Sequence, residues 1–329
     1  MNAKKILKSY FRRVLFKLLP ELNSLNRQQS ENRFDLQMLA DHYDTHSPEY
    51  LKLRDAELIR KRFRKLLNHD PDLKNPMTFN EKTQWLKLNY RKQDLHLLAD
   101  KYMVRKYISN AGFEKYLNTL YGVYTSSEEL IKDWDALPAS FIIKTNHWSG
   151  GNLVVKNKSK FDRKKLSVLD EWLNKNYYHH KRWGEWIYKN IEPRIVVEKY
   201  LTSENSADIK DYRLFCFNGK VKYIMVDVDT LGSITKRVIY DLNWQKQDFT
   251  ITRPIYQGEI PRPAVLDEMI NFAESVAMEH PFLRVDMYLI NNDQIFFGEL
   301  TFFHQSGFGK FIPQKWDKVF GDLINLPSV

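Results

Sequence analysis

The first part of the chain has its apolar residues at helical spacing. Residues 34 to about 110 follow the three-to-four-residue repeat that turns one face of a helix toward a core. Thr78 and Glu81 have the spacing of a capping box, in which each side chain bonds the other residue's backbone N–H, and they predict a helix start. Trp85 and Leu88 then fall on the inner face of that helix. This part of the chain is predicted to be a helical region.

Beyond Gly112 the pattern changes to short runs rich in β-branched and aromatic residues. The strongest hairpin signal is Asn218-Gly219, which joins two such runs, and a second hairpin is predicted to turn at residues 291–293. Between the hairpins, Pro263 to His280 has the spacing of a helix. Further strands are predicted at 141–145, 153–156 and 194–201. Strand pairs that alternate with single helices predict an α+β fold rather than a regular βαβ array.

The first twenty residues carry six basic side chains and no acidic one. Leu7, Phe11, Val14 and Leu18 follow helical spacing and define one apolar face. Basic residues interrupt the continuous apolar core that a secretory signal needs. Two interpretations stay open for residues 1–20: a helix packed on the body of the protein, and a helix lying on an anionic membrane surface.

The composition is that of a globular protein. The chain has 329 residues, of which 43% are hydrophobic and 28% charged, and this excludes a disordered chain. A single cysteine, Cys216, excludes an internal disulfide framework and a cysteine-rich zinc site, and it agrees with a reducing compartment. The net charge of +10 owes much to the first twenty residues. We expect no nucleic-acid partner, because no dense basic face with interleaved aromatics marks the rest of the chain.

A candidate phosphate-binding segment runs from Lys144 to Asn152, between two predicted strands. The lysine supplies a point charge, and Gly150 and Gly151 let backbone N–H groups approach phosphate oxygens. His147, beside the glycines, could donate to the same phosphates. The alternative is an ordinary hairpin turn with an incidental lysine, because Gly-Gly turns are common.

A second candidate site lies on the last predicted hairpin. Asp286 and Glu299 fall on its two neighbouring strands, where bare carboxylates would repel each other. Mg²⁺ relieves such repulsion, since it binds one or two carboxylates together with phosphate oxygens. Arg284 shares a face with Asp286, where it could stabilise a transferring phosphoryl group. The alternative is a surface pair of Arg284 and Asp286, with Glu299 solvated.

Five blocks of the sequence resemble the TupA-like ATP-grasp proteins of bacterial surface-polysaccharide gene clusters. They are NPMTFNEKTQWLKL, DKYMVRKYI, LPASFIIKTNHWSGGNLVV, DYRLFCFNGK and GELTFFHQSGF, and the resemblance runs from about Asn75 to the C-terminus. It implies an α+β ATP-grasp fold, two lobes gripping ATP, preceded by a helical N-terminal region. The expected units are a basic helix (1–20), a helical region (21–100), a lid lobe with the Gly-rich loop (101–200) and a metal-binding lobe (201–329).

The resemblance also implies which residues bind ATP. Lys101 and Lys144 would contact the phosphates, together with the loop of Ser149, Gly150 and Gly151. Residues Glu198, Lys199 and Leu201 would border the adenine. For the acid that binds the ribose, three candidates stay open: Glu204, Asp208 and Asp211.

Metal binding and catalysis are assigned by the same resemblance. Asp286 and Glu299 would bind Mg²⁺. Many ATP-grasp ligases have Asn two residues after the second metal carboxylate, whereas this chain has Thr301, whose hydroxyl is a weaker ligand. Arg284 would stabilise the acyl-phosphate step, and either Lys236 or Arg237 would reach the γ-phosphate from the side.

The implied activity is that of an ATP- and Mg²⁺-dependent carboxylate–amine ligase that acts through an acyl phosphate. The family's setting implies a uronic acid of a surface glycan as the acid and an amino acid or another amine as its partner. Two alternatives stay open: a kinase acting on a sugar hydroxyl, and a non-catalytic protein that binds glycan or membrane. The joint presence of the predicted lysines and metal carboxylates argues against the second. We expect a cytoplasmic protein whose residues 1–20 contact the inner membrane face.

Overall fold

A computed structural model describes residues 48–202, 210–228, 234–278 and 280–328. The predicted basic helix and two of the candidate ribose acids, Glu204 and Asp208, lie outside the described residues. The α-helices are α1 (Pro48–Leu67), α2 (Phe79–Asn89), α3 (Leu95–Ala99), α4 (Val104–Asn110), α5 (Ser127–Lys132), α6 (Ser167–Leu173), α7 (Tyr177–Lys181), α8 (Leu266–Ala277) and α9 (Lys315–Asp322). The strands are β1 (Leu120–Tyr124), β2 (Phe141–Thr145), β3 (Asn152–Val155), β4 (Ile195–Lys199), β5 (Lys210–Phe217), β6 (Lys220–Val228), β7 (Lys236–Tyr240), β8 (Thr250–Ile251), β9 (Phe282–Ile290), β10 (Gln294–Thr301) and β11 (Phe311–Ile312).

The predicted capping box starts helix α2. The Thr78 hydroxyl accepts the Glu81 N–H at 3.2 Å, and the Glu81 carboxylate accepts the Thr78 N–H at 3.1 Å. Two backbone donors at the helix start are thereby satisfied. Leu88 is buried as predicted, while Trp85 is only partly buried.

The small lobe is a four-stranded antiparallel sheet, in the order β1-β4-β2-β3, with helices α5 and α6. Its own apolar core is built around Trp134, Phe141, Ile143 and Val197, which expose almost none of their surface. Strand β2 has the predicted bounds, and β3 and β4 differ from prediction only at their ends. The strand that leads into the Gly-rich segment, β2, is therefore an inner strand of this sheet, paired on both sides.

The large lobe is a five-stranded antiparallel sheet, in the order β10-β9-β5-β6-β7, and contains both predicted hairpins. Asn218 and Gly219 have positive φ angles of 49° and 77°, as a tight hairpin turn requires. A Cβ atom on Gly219 would lie 1.8 Å from the carbonyl oxygen of Met278, so only glycine fits there. The two hairpins are joined by the pairing of β9 with β5, and β5 is the central strand of the sheet.

One face of the large sheet packs against α8, whose Met269, Phe272 and Val276 are fully buried. Part of the opposite face is covered by aromatic side chains of α2 and α9, such as Phe79 and Phe320. The rest of that face carries charged residues. Among the described helices, none has both the length and the apolar character needed to cross a bilayer.

Candidate active site

Charged side chains form a row across all five strands of the large sheet. Strand register places Asp286 between Glu299 on one side and Arg213 on the other, and Asp227 between Asp211 and Arg237. Alternation along each strand puts these side chains on the face opposite α8. In order from β10 to β7, the row consists of Glu299 with Thr301, Arg284 with Asp286, Asp211 with Arg213, Asp227, and Arg237.

Arg284 lies in the part of the row that β9 and β10 form, where several side chains contact its guanidinium. Its Nε donates to Asp286 Oδ1 at 2.6 Å, and its Nη2 donates to Thr301 Oγ1 at 3.0 Å. Glu299 Oε1 is 3.6 Å from Nη2. Arg284 also donates through Nη1 to His304 Nδ1 at 2.6 Å, which leaves the proton of this imidazole on Nε2. The guanidinium is therefore fixed by four side chains, and its pair with Asp286 is buried rather than on the surface.

Asp286 and Glu299 differ in protonation although they are neighbours. Burial raises the pKa of Asp286 to about 7, against the opposing effect of Arg284. Burial acts in the same direction on Glu299, but Lys101 and Arg284 together hold the pKa of this carboxyl below its usual range. The row therefore combines a carboxyl group that titrates near neutrality with one that stays ionised.

Lys101 connects the two lobes. Its Nζ donates to the carbonyl oxygen of Trp148, in the Gly-rich segment, at 2.9 Å, and lies 3.9 Å from Glu299 Oε2. Burial lowers the pKa of Lys101, while Glu299 opposes that shift. One ammonium group thus contacts both the loop of the small lobe and the charged row of the large lobe.

Lys144 and Glu198 form an ion pair on the inner strands of the small lobe. Lys144 Nζ donates to Glu198 Oε2 at 2.8 Å, and Arg105 Nη1 donates to Glu198 Oε1 at 2.9 Å. The three side chains are largely buried. Lys199 is exposed at the end of β4, and Leu201 is partly buried just beyond it.

The Gly-rich segment turns sharply between β2 and β3. Ser149 and Gly150 are exposed, and Gly150 has φ +84°, a conformation that favours glycine. A Cβ atom on Gly151 would lie 2.5 Å from Thr145 Oγ1. His147 is buried, and its Nε2 lies 3.0 Å from the carbonyl oxygen of Lys175 and 3.2 Å from that of Trp172. His147 therefore lies within hydrogen-bonding distance of the protein's own backbone. The residues at the tip of the loop, by contrast, are exposed, so their backbone groups are available to a ligand.

The sequence profile of the TupA-like ATPgrasp family matches residues 81–325, which is well over half of the chain. The chain belongs to this family. Its expected ATP-grasp fold is thereby confirmed, with α1 as a helical region before the matched segment. No curated protein matches the chain.

The TupA-like chain is also similar, at low identity, to several solved ATP-grasp structures. D-alanine–D-alanine ligase from Bacillus anthracis is 19% identical, with 62% of this chain and 56% of that chain covered and a TM-score of 0.35. The ADP complex of N5-carboxyaminoimidazole ribonucleotide synthetase, PurK, is 15% identical, with 78% and 57% covered and a TM-score of 0.40. N5-carboxyaminoimidazole synthetase from Staphylococcus aureus, complexed with ADP, is 16% identical, with 75% and 59% covered and a TM-score of 0.40. The chain spans less than two thirds of the length of each of these proteins.

The donors available for a metal in this ATP-grasp site are the paired carboxylates of Asp286 and Glu299. The two residues are register partners on adjacent strands, and Thr301 donates to Glu299 Oε1 at 3.2 Å. Across the described ranges, no group of three or more His, Cys, Asp or Glu side chains is placed to hold a metal. Two carboxylates fit Mg²⁺ that takes its remaining ligands from phosphate and water, and they do not fit a metal held by protein side chains alone.

Three further charged residues, Arg105, Arg213 and Asp227, belong to the site although the sequence did not single them out as functional. Arg213 contacts Asp227 and Asp211 and lies 3.6 Å from Asp286 through its Nε. In the small lobe, Arg105 holds Glu198. One pattern in the sequence could have indicated the residues on the strands: charged residues at alternate positions of an otherwise apolar strand, as in Asp211-Tyr-Arg213. Only the strand register shows that such residues from different strands form a row.

The two predicted γ-phosphate residues differ in placement. Arg237 is buried, and its guanidinium donates to Asp227 Oδ1 at 2.6 Å and to the carbonyl oxygen of Ile251 at 2.6 Å. Lys236 is exposed at the start of β7. Arg237 therefore acts within the row, where it neutralises Asp227.

Proposed function

We propose that this TupA-like protein is an ATP-dependent carboxylate–amine ligase that acts through an acyl phosphate. The observation that carries the proposal is the position of Lys101, which contacts both the Gly-rich loop and the carboxylate row. Groups suited to binding phosphate and groups suited to stabilising phosphoryl transfer therefore meet at Lys101, where the two lobes come together.

ATP is expected to bind between the lobes. Lys101 and Lys144 supply positive charge for its phosphates, and the exposed tip of Ser149 and Gly150 offers backbone N–H groups. Glu198, near the end of β4, would border the adenine. Asp286 and Glu299 would hold Mg²⁺, which offsets phosphate charge when bound.

Arg284 is the group best placed to stabilise the transferred phosphoryl group. Its guanidinium is held by His304, Asp286 and Thr301, so little reorganisation is needed when charge develops. An oxygen of the acid substrate would attack the γ-phosphorus and ADP would leave. The nitrogen of the neutral amine would then attack the carbonyl carbon and lose one proton to solvent, and the C–O bond to phosphate would break to give an amide and free phosphate.

The proposed substrates are a uronic acid of a bacterial surface polysaccharide and an amino acid or another amine. Membership of the TupA-like family supports this choice. We propose in addition that residues 1–20 bring the enzyme to the cytoplasmic face of an anionic membrane, because they combine six basic residues with an apolar face.

The proposal is tested with the full chain, Mg·ATP, D-glucuronic acid and hydroxylamine, which traps acyl phosphates as hydroxamates. We expect hydroxamate, ADP and phosphate in equal amounts. The variant Arg284→Lys should lower the rate by at least about 100-fold, since one ammonium cannot replace the fixed guanidinium. The control Arg262→Lys, at an exposed pair with Asp267, should leave the rate unchanged. Stable phosphate on the sugar without free phosphate would instead establish the kinase.

A further inference from the structure

Glu185 is a buried carboxyl group that the proposed transfer of phosphate does not use. Its side chain is almost fully buried, and its Oε2 accepts no hydrogen bond among the described residues. Hydrogen bonds from the hydroxyls of Ser306 and Tyr177, together with the nearby ammonium of Lys87, oppose the rise that burial causes in the pKa of this carboxyl group. Lys87 donates instead to the carbonyl oxygens of Trp183 and Ser306, both at 2.7 Å. Glu185 thus keeps an unsatisfied oxygen, which is costly unless a ligand pairs with it.

Aromatic contacts place Glu185 beside the candidate active site. The ring of Tyr177 packs at 4.7 Å on Tyr188 and at 5.4 Å on Trp148. Trp148 is the residue whose carbonyl oxygen holds Lys101. Tyr188 lies within electrostatic reach of Glu185 and also of Glu299 and Arg284. Tyr188 also donates its backbone N–H to the carbonyl oxygen of Glu185 at 3.2 Å, so the segment that carries Glu185 lies beside the two tyrosines and Trp148.

The chemistry of this corner is that of an ammonium site. It combines one buried carboxyl group with the hydroxyl oxygens of two partly exposed tyrosines, which can accept hydrogen bonds from a cation. Burial raises the pKa of Glu185, and Lys87 opposes that rise. A positively charged amine would stabilise the ionised carboxylate in the same way.

We propose that Glu185, together with the hydroxyl groups of Tyr177 and Tyr188, binds the ammonium group of the amine substrate next to Arg284 and Glu299. This inference rests on the proposed ligase function and adds its second substrate site. The amine would then lie on the side of the row where the acyl phosphate forms, and its ammonium group would release one proton to water before the nitrogen attacks.

The experiment compares two nucleophiles in one assay with D-glucuronic acid and Mg·ATP. Hydroxylamine is uncharged at neutral pH and needs no ammonium site, whereas an equimolar mixture of the standard amino acids supplies cationic amines. Glu185→Gln should keep hydroxamate formation near the parent rate and lower amide formation by about 10- to 100-fold, the value of a hydrogen bond to a charged group. Glu171→Gln, at an exposed glutamate of the same lobe, should change neither rate.

Tyr177→Phe provides a second variant, because it keeps the ring contacts with Tyr188 and Trp148 and removes only the hydroxyl group. It should raise the KM for the amine mixture and leave the hydroxamate rate unchanged, even if Glu185→Gln fails to fold. An equal loss of both products in the variants would overturn the ammonium site, as would a parent enzyme that forms hydroxamate but no amide. A parent that forms no hydroxamate would overturn the ligase function itself, and the ammonium site with it.

Discussion

At the scale of single residues, Asp286 shows how the fold changes the chemistry of a carboxyl group. In sequence it is one acid on an apolar strand, with nothing to show that it titrates unusually. In the folded protein, burial raises its pKa to about 7, more than the paired Arg284 lowers it. The sequence could predict the pairing of Arg284 and Asp286, because they are two residues apart on one strand. It could not predict the burial, because this depends on the strands and helices that pack around the row.

The raised pKa of Asp286 predicts a pH-dependent stability of the nucleotide-free protein. Between about pH 4 and 7 the folded state binds more protons at this position than the unfolded state, so the free energy of unfolding should fall as the pH rises. Three pKa units limit this contribution to about 4 kcal/mol. Urea denaturation across this range should show a free energy of unfolding that falls less, or rises more, with increasing pH for Asp286→Asn than for the parent. The exposed control Asp267→Asn should keep the parent profile, and parallel profiles for all three proteins would contradict the assignment.

At the scale of elements, the sequence predicted the helices and hairpins whose formation depends on local signals. The capping box of α2 and the Asn218-Gly219 hairpin are examples, since both are decided by residues a few positions apart. The short strands β8 and β11 were missed, because two-residue strands carry no detectable alternation. The charged row was also missed as a unit, because strand register brings its members together from distant parts of the chain.

Helix α1 has a structural role that its sequence did not reveal. Its Asp55 is fully buried and accepts hydrogen bonds from Arg91 at 2.7 Å, from Arg54 at 3.0 Å and from the Tyr178 hydroxyl at 2.9 Å. Tyr178 belongs to α7, next to the Tyr177 of the proposed ammonium site. Helix α1 precedes the family match and nevertheless supports the segment that carries Glu185.

Removal of this buried acid should destabilise the protein strongly. Asp55→Ala leaves the charges of Arg54 and Arg91 without their carboxylate partner, and breaking such a buried pair costs about 3–5 kcal/mol. Asp70→Ala, which removes an exposed pair with Arg64 at the end of the same helix, should cost less than about 1 kcal/mol. Urea denaturation of the two variants provides the comparison. Equal stabilities would show that α1 does not support the site through Asp55.

At the scale of the whole molecule, the two lobes would supply different parts of the proposed ligase reaction. The small lobe brings Lys144 and the Gly-rich loop, and the large lobe brings Arg284 and the paired carboxylates. Lys101 contacts both lobes. Family resemblance could name many of these residues from the sequence, whereas their mutual contacts required the fold.

The most direct test of the proposed ligase activity follows one oxygen atom through the reaction. D-Glucuronic acid labelled with ¹⁸O in its carboxylate is incubated with the full chain, Mg·ATP and hydroxylamine, and the released phosphate is analysed by mass spectrometry. Attack of the carboxylate on the γ-phosphorus, followed by loss of phosphate from the acyl group, transfers one ¹⁸O atom into each phosphate. We therefore predict phosphate that carries a single ¹⁸O atom and is formed in equal amount with hydroxamate. Release of unlabelled phosphate, or transfer of phosphate to a sugar hydroxyl, would contradict the proposed ligase.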